Sequence, residues 1–233
     1  MAFDILFRDD WLCAIAKPPG ILVHRSNIAT DREFVMQNLR DQLGKRVWPV
    51  HRLDRATSGV LLFALDPETA RRLGQAFVDR HVDKRYLAVV RGWTDEAGTI
   101  DHPVARHERA EAREARTHYR RLATCELPVP VGGFETARYS LVEARPETGR
   151  RHQIRRHFKH ISHHLIGDTT YGDGRHNRLF REHLHCHRML LHASRLEFDH
   201  PREGRLEVTA PLAGEFARLA EAVFGWTEGE EAV

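Results

Sequence analysis

Short apolar runs and alternating apolar and polar positions dominate the chain, a pattern typical of strands. Residues 5–16 predict two strands around an Arg-Asp-Asp turn, and the Lys-Pro-Pro-Gly sequence that follows must end the second strand. The continuous apolar run at 59–65 predicts a buried strand. We expect further strands at 84–92, 117–127, 137–145, 188–198 and 205–209.

Fewer segments show helical spacing. Val35, Leu39 and Leu43 recur four residues apart and predict a helix that Asp31 caps and Gly44 ends. We expect further helices after the Asp-Pro pair at 66–67, around Ile154, Phe158 and Ile161 beyond a turn at 146–149, and over 215–224.

Strands outnumber helices and do not alternate with them strictly. This order predicts an α+β fold with a mixed, largely antiparallel central sheet flanked by helices. We find no internal repeat or low-complexity linker, so we expect one domain over residues 1–227, followed by a frayed acidic tail at 228–233. Residues 93–116 are the expected surface insertion.

Composition narrows the class of protein. Of the 233 residues, 41% are hydrophobic and 30% are charged, which is ordinary for a soluble globular protein. The longest apolar run, at 60–65, is too short to span a membrane, and the acidic N-terminus does not resemble a signal peptide. Three widely spaced cysteines suit reduced thiols, so we expect a cytoplasmic protein, and we expect a monomer.

Positive charge is concentrated in two segments, although the formal net charge is only +3. Residues 150–160 contain four arginines and a lysine with no acid, and residues 106–121 contain six arginines against three glutamates. Each segment alone fits a solvated charged face. Together they favour nucleic-acid binding, because phosphate contacts depend on local patches rather than on total charge.

The sequence HRLDRATSG places Asp54 between Arg52 and Arg55, just before the predicted buried strand. A carboxylate at the end of a rigid strand can project into a cleft, and neighbouring guanidinium groups favour its ionised form. Such a group can attack as a nucleophile or remove a proton. A surface ion pair or a turn cap accounts for the same residues, and for an isolated motif it is the more common explanation.

The surrounding sequence adds a resemblance. HRLDRATSGVLL, together with KPPGILVH, KRYLAVVRG, ETGRRHQIRRH and LLHASRLEF, resembles the RluA-type pseudouridine synthases in the same order along the chain. These enzymes isomerise uridine in RNA to its C-glycoside and need no cofactor or metal. Several members carry an N-terminal S4-type domain, and we expect none here because the first motif begins at Lys17.

The resemblance also implies roles for individual residues. Asp54 corresponds to the essential catalytic carboxylate, and Tyr86 corresponds to the tyrosine that stacks on uracil near C5. Arg155 corresponds to the arginine that pairs with the carboxylate, and Arg52 corresponds to the arginine that fills the space left by the flipped base. Without the resemblance, Tyr86 would be interpreted as a packed strand residue and Arg155 as a phosphate contact.

The expected partner is RNA, and no membrane contact is expected. The stretches THYRRLATCELPVPVGG and FGW are closest to family members that act on tRNA, at position 65 in the T-stem. Ribosomal RNA as the substrate and a non-catalytic RNA-binding module are the alternatives. Besides Arg52, we expect RNA or substrate contacts from His51, Arg55, Arg150, Arg151, Arg156 and Leu191. Leu191 and its neighbour His192 would look the same as buried strand residues.

Two groups of residues could suggest a metal. His183, His185 and His187 flank Cys186, but one short cluster lacks the second ligand pair of a structural zinc site. Asp168 and Asp173 lie among glycines and threonines, which fits turns better. We therefore expect no metal site and interpret 183–187 as a strand or loop with incidental histidines.

Overall fold

The computed structural model describes residues 1–24, 33–105 and 110–229. These residues form twelve strands and five helices, and the central sheet is mostly antiparallel, so the predicted α+β class is confirmed. The strands are β1 (Ile5–Arg8), β2 (Leu12–Lys17), β3 (Trp48–Pro49), β4 (Ser58–Ala64), β5 (Asp83–Arg91), β6 (Ala97–Asp101), β7 (Val104–Ala105), β8 (Ala112–Arg113), β9 (Arg116–Leu127), β10 (Ala137–Pro146), β11 (Leu191–Asp199) and β12 (Arg205–Thr209). The helices are α1 (Val35–Leu43), α2 (Pro67–Val78), α3 (Gln153–His160), α4 (Gly174–Leu184) and α5 (Gly214–Phe224).

The chain divides into two units. The first unit contains Met1–Lys84 and Ala193–Ala210, and the second contains Arg85–His192 and Pro211–Val233. Both β5 and β11 therefore begin in one unit and end in the other. The expectation of a single domain over 1–227 stays a prediction.

The first unit is built on the strand order β1-β2-β4-β11-β12, with β3 paired to β4. β2 and β4 are antiparallel from Leu12 opposite Ala64 to Lys17 opposite Gly59, and every residue of β4 is buried, as its apolar run predicts. One apolar cluster combines these strands with α2. Its members include Leu12, Val60, Leu62, Leu73, Leu196, Phe198 and Val208.

The residues that cap α1 and α2 can be compared with those that the sequence predicts. Asp66 caps α2 by accepting a hydrogen bond from the Thr69 backbone N at 2.9 Å, as the Asp-Pro pair predicts. Gly44 ends α1 in the left-handed conformation, also as predicted. The N-cap of α1 is Phe34, which has no side-chain cap, and Asp31 lies outside the described residues.

The second unit has the strand order β5-β10-β9-β6. One face of this sheet packs against α4 and α5 in a cluster that includes Leu87, Val89, Tyr139, Leu141, Phe180, Phe216 and Leu219. On the other face, the Tyr119 ring of β9 contacts Phe158 of α3 at 5.5 Å between ring centroids. Helices therefore cover both faces of these strands.

Three segments of the second unit differ from the prediction. Helix α4 was not predicted, and His183–His187 falls at its end, where His185 adopts the left-handed conformation. Residues 93–116 contain β6, which pairs with β9 and buries Ile100, so this segment extends the sheet. The strand predicted from residue 188 begins at Leu191.

Two expectations concern the periphery of the chain. Within the predicted tail, Glu228 accepts a hydrogen bond from the Leu212 backbone N, and residues 230–233 lie outside the described residues. Among the described helices, none is long and apolar enough to cross a membrane. Cys13, Cys125 and Cys186 are free thiols.

Candidate active site

Asp54 lies in the loop between β3 and β4. Leu53 is buried and anchors the loop, and the Asp54 side chain is half-buried. The Thr57 backbone N donates a hydrogen bond to the Asp54 carbonyl at 3.1 Å, which closes a turn directly before β4. The carboxylate is therefore carried by a tight turn on a fully buried strand, as the sequence predicts.

Lys17, at the end of β2, holds this turn by hydrogen bonds from its side chain to main-chain carbonyl oxygens. The side chain is only 1% exposed, and its Nζ donates to the carbonyl oxygens of Pro18, Arg55 and Thr57 at 2.9, 3.1 and 2.7 Å. The Gly20 backbone N donates to the same Arg55 carbonyl at 2.8 Å. A buried ammonium needs such partners to offset its lost hydration. Lys17 thus fixes the loop that carries Asp54, a role that sequence reasoning missed.

The side chains on either side of Asp54 have different surroundings. Arg52 and Arg55 are exposed. His51 packs on the Phe77 ring at 4.7 Å, and its Nε2 accepts a hydrogen bond from the Leu62 backbone N at 3.0 Å. Burial, reinforced by the nearby Lys84 charge, lowers the pKa of His51 to about 3, so the imidazole is neutral. This contact ties the start of the loop to β4, and an RNA contact from His51 stays a prediction.

Gly59, in the Thr-Ser-Gly turn, allows β11 to approach β4 closely. Its φ is +110°, and a Cβ there would lie 2.1 Å from the Ala193 carbonyl oxygen. A side chain cannot occupy that space, so only glycine fits. The glycine of the motif therefore has a structural cause of its own, separate from the chemistry at Asp54.

Tyr86 lies on β5 in the second unit and is half-buried. Its cross-strand partner in β10 is Ala144, which is also paired with Tyr119 in β9. Cross-strand partners share a face of the sheet, so Tyr86 is on the face where Tyr119 contacts Phe158 of α3. The neighbouring residue Leu87 faces the opposite cluster.

Arg155 is on α3, one turn before Phe158, and its side chain is 8% exposed. Its Nε and Nη2 donate to the two carboxylate oxygens of Asp168 at 2.7 and 2.8 Å, a bidentate pair. Burial acts to raise the pKa of Asp168, but the hydrogen bonds from Arg155 and from the Tyr171 and Thr170 backbone N–H groups outweigh it and lower that pKa. The expected pairing of Arg155 with Asp54 stays a prediction.

Gln153 organises the start of α3. Its amide nitrogen donates to the Arg116 carbonyl and to the Thr117 hydroxyl, both at 3.0 Å. Its amide oxygen accepts from the Thr148 hydroxyl at 2.6 Å and from the Arg150 backbone N at 3.0 Å. Gln153 is buried, and the resemblance alone did not single it out. It fixes the position of the helix that carries Arg155.

The three other arginines of α3 and its preceding turn differ in their exposure and hydrogen bonds. Arg151 is exposed. Arg150 donates from Nε to the Glu114 carbonyl at 3.1 Å, and Arg156 donates from Nη1 to the Ala105 carbonyl. Both guanidinium groups are thus attached to neighbouring backbone. Their predicted contacts with RNA phosphates stay predictions.

Leu191 and His192 begin β11 and are both buried, at 3% and 5% exposure. His192 lies edge-on to the Phe216 ring, with 6.5 Å between centroids. Buried strand residues are what the alternative interpretation of this motif predicted. A role for Leu191 beside bound substrate stays a prediction.

Comparisons with known proteins agree with this arrangement. The family model described as RNA pseudouridylate synthase matches residues 12–160, a range that contains Asp54, Tyr86 and Arg155. The chain belongs to the RNA pseudouridylate synthase family. The RluA-type resemblance is therefore confirmed.

Relatives of known name extend the match over nearly the whole chain. The tRNA pseudouridine synthase C of Vibrio cholerae serotype O1 is 46% identical over 236 residues, which cover 97% of each chain. That of Salmonella typhimurium is 47% identical over 96% of this chain and 90% of its own. Among solved structures, human RNA pseudouridylate synthase domain containing 1 is 27% identical with a TM-score of 0.73, covering 91% of this chain and 84% of that one.

In this pseudouridine synthase, two groups of residues support the residues that the resemblance to the family singles out. In the first unit, Lys17 and His51 hold the turn of Asp54. In the second unit, α3 packs on the face of the sheet that carries Tyr86, and Asp168 binds Arg155. Asp168 and Asp173 are a turn residue and the N-cap of α4. Among the described residues, no three His, Cys, Asp or Glu side chains are grouped to hold a metal ion.

Proposed function

We propose that this enzyme converts uridine to pseudouridine in tRNA, at position 65 of the T-stem, with Asp54 as its catalytic residue. The observation that carries the choice of tRNA is the 46–47% identity, over nearly the full length, to two enzymes named tRNA pseudouridine synthase C. The position follows from the resemblance of THYRRLATCELPVPVGG and FGW. We propose that it acts in the cytoplasm as a monomer without an obligate protein partner.

The reaction needs acid–base and covalent chemistry but no oxidant or reductant. The N1–C1′ bond breaks, the uracil turns, a C5–C1′ bond forms, the C5 proton leaves and N1 takes up a proton. An ionised carboxylate can add to the nucleoside or remove the C2′ proton to give a glycal. Asp54 suits both routes, because its turn is held by backbone bonds while its side chain is half-buried.

We assign the remaining roles by residue. Tyr86, half-buried on β5, stacks on the uracil, with its hydroxyl near C5 where the final proton leaves. Arg155 stabilises the anionic groups of the reaction, and its bidentate bond to Asp168 fixes the guanidinium plane. Arg52 is exposed and enters the space left when a uridine in a stem is flipped out.

The decisive experiment measures tritium release from a tRNA transcript labelled at C5 of its uridines. Asp54→Asn keeps the size of the side chain but removes the nucleophilic carboxylate, so release should fall by about 1000-fold or more. Binding of the transcript, followed by filter retention, should change less than about threefold. Asp10→Asn, at an exposed turn of the first unit, is the matched control and should release tritium like wild type.

Each of the following results would contradict a part of the proposal. Release by Asp54→Asn at the wild-type rate would remove Asp54 from catalysis, whereas a wild-type protein that retains the transcript but releases no tritium would favour a non-catalytic RNA-binding role. A transcript with cytidine at position 65 should release no tritium, whereas continued release from it would move the substrate position. Release from ribosomal RNA fragments, with none from tRNA, would exchange the substrate class and keep the chemistry.

A further inference from the structure

Trp93, which follows β5, is 44% exposed. The backbone on both sides of Trp93 is nevertheless held by one buried residue, Ser140. The Ser140 hydroxyl donates to the Gly92 carbonyl at 2.9 Å and accepts from the Thr94 backbone N at 3.0 Å. Arg121 in turn donates from Nη1 to the Thr94 carbonyl. The main chain that carries this exposed ring is therefore fixed.

The ring itself is also fixed. Its Nε1–H donates to the Cys125 carbonyl at 3.0 Å, and the Arg138 guanidinium lies over the ring, with Cζ 4.2 Å from its centroid. Arg138 is held by the Glu126 carboxylate at 3.1 Å, and the same oxygen accepts from the Thr136 hydroxyl. A chain of side-chain contacts thus holds an indole and a stacked guanidinium at the surface of the second unit.

Such an arrangement is suited to a nucleobase. Aromatic rings and guanidinium planes are the groups on which proteins stack unpaired bases of RNA. Fixing them before binding reduces the entropy that binding must overcome. Two of the acids nearby are engaged, Glu126 with Arg138 and Glu96 with Arg121 at 3.8 Å, so these arginines moderate the repulsion of phosphates.

We propose that Trp93 and Arg138 form a stacking platform for an unpaired nucleobase of the RNA substrate, separate from the uridine that reacts. The inference rests on the proposed function insofar as the ligand is the substrate RNA. Neither the catalytic carboxylate nor the residues assigned to the uracil take part in it. The platform would contribute to RNA affinity and to the choice of substrate rather than to the chemical step.

The test compares kcat and KM for tRNA in variants of the full-length enzyme. Trp93→Ala should raise KM about tenfold and leave kcat unchanged, since stacking of one base supplies this range of affinity. Trp93→Phe retains a ring and should stay within about threefold of wild type. Phe134→Ala is the matched control, because Phe134 is 74% exposed in the same second unit but is outside the platform.

A second measurement covers the case in which Trp93→Ala fails to fold. Wild-type enzyme is irradiated with tRNA containing 4-thiouridine, and the crosslinked peptides are identified by mass spectrometry. A crosslink to Trp93 or Arg138 supports the platform. Its absence, when crosslinks form elsewhere on the protein, would overturn it.

Other results would also overturn the platform. The first is an unchanged KM for Trp93→Ala. The second is an equal rise in KM for Trp93→Phe, which would indicate a role for the indole N–H alone. The third is an equal rise in KM for Phe134→Ala. Each is measured on enzyme that forms pseudouridine. A wild-type enzyme that binds and crosslinks tRNA through Trp93 but releases no tritium would contradict the proposed function and leave the platform in place.

Discussion

Buried charges at single residues support the groups that we propose act in catalysis. Lys17 is nearly inaccessible and bonds to three backbone carbonyls, while Arg155 and Asp168 neutralise each other in a bidentate pair. A charge removed from water is costly unless hydrogen bonds replace its hydration, so these residues depend on complete sets of partners. Removing one partner leaves the other buried and uncompensated.

The Arg155–Asp168 pair gives a prediction about stability. Arg155→Met should lower the free energy of unfolding by about 3–5 kcal/mol, because it leaves the Asp168 carboxylate buried without its cation. Arg116→Met, which breaks an exposed pair with Asp101 at 2.7 Å, should cost much less, because solvent screens that pair. Urea unfolding measures both. Equal costs would show that burial does not govern the strength of the Arg155 pair.

At the scale of elements, the loop that carries Asp54 depends on the attachment of its first residue to β4. His51 accepts a hydrogen bond from the Leu62 N–H, and this requires the neutral imidazole. The same ring packs on Phe77 of α2. Protonation would therefore disturb the junction of loop, strand and helix together.

This junction should make stability sensitive to acid. The pKa of His51 is about 3 in the folded protein, against about 6.5 in an unfolded chain. Between these values the unfolded state binds more protons, so the free energy of unfolding should fall as the pH is lowered from 6.5 toward 3. The loss from His51 alone amounts to about 2 kcal/mol by pH 5.

Urea unfolding at pH 7, 6 and 5 tests this sensitivity. His51→Gln carries no titrating ring, so its stability should vary less between pH 7 and 5 than that of wild type. The matched control is His81→Gln, since His81 is exposed in the same unit and should keep the wild-type dependence. An unchanged pH dependence in His51→Gln would remove His51 as its cause.

Prediction from sequence succeeded for elements with strong local signals and failed where tertiary contacts decide. The apolar run of β4 and the Asp66 cap of α2 are encoded locally, and both were predicted. Helix α4 was not predicted, because its many arginines and histidines obscure the apolar spacing in the sequence. It buries few residues, His176, Leu179 and Phe180. The bond between Arg155 and Asp168 was not predicted, because Asp168 lies outside the helix and resembles an ordinary turn residue.

On the scale of the whole molecule, each unit is built from two separate stretches of the chain. The first unit takes its last two strands from residues 193–210, after the chain has completed most of the second. Its apolar cluster contains Leu196, Phe198 and Val208 from those strands. The family match at 12–160 contains only the earlier part of that unit.

Residues 1–84 alone should therefore remain unfolded, because the fragment exposes the edge of β4 that pairs with β11 and lacks the apolar residues that 193–210 supply to its cluster. Circular dichroism and amide proton dispersion measure this directly. Joining residues 193–210 to the fragment through a flexible linker should restore strand signal. A folded 1–84 fragment would show that the later strands are dispensable.

The hydrogen bonds that Lys17 donates to Pro18, Arg55 and Thr57 go to main-chain oxygens, and this has a practical consequence for studying Asp54. Every residue type carries the same carbonyl, so a substitution at 54, 55 or 57 leaves that support intact. The loop can therefore be varied in charge, size or reactivity while its path stays fixed. Differences in activity among such variants then report on the chemistry of the side chains.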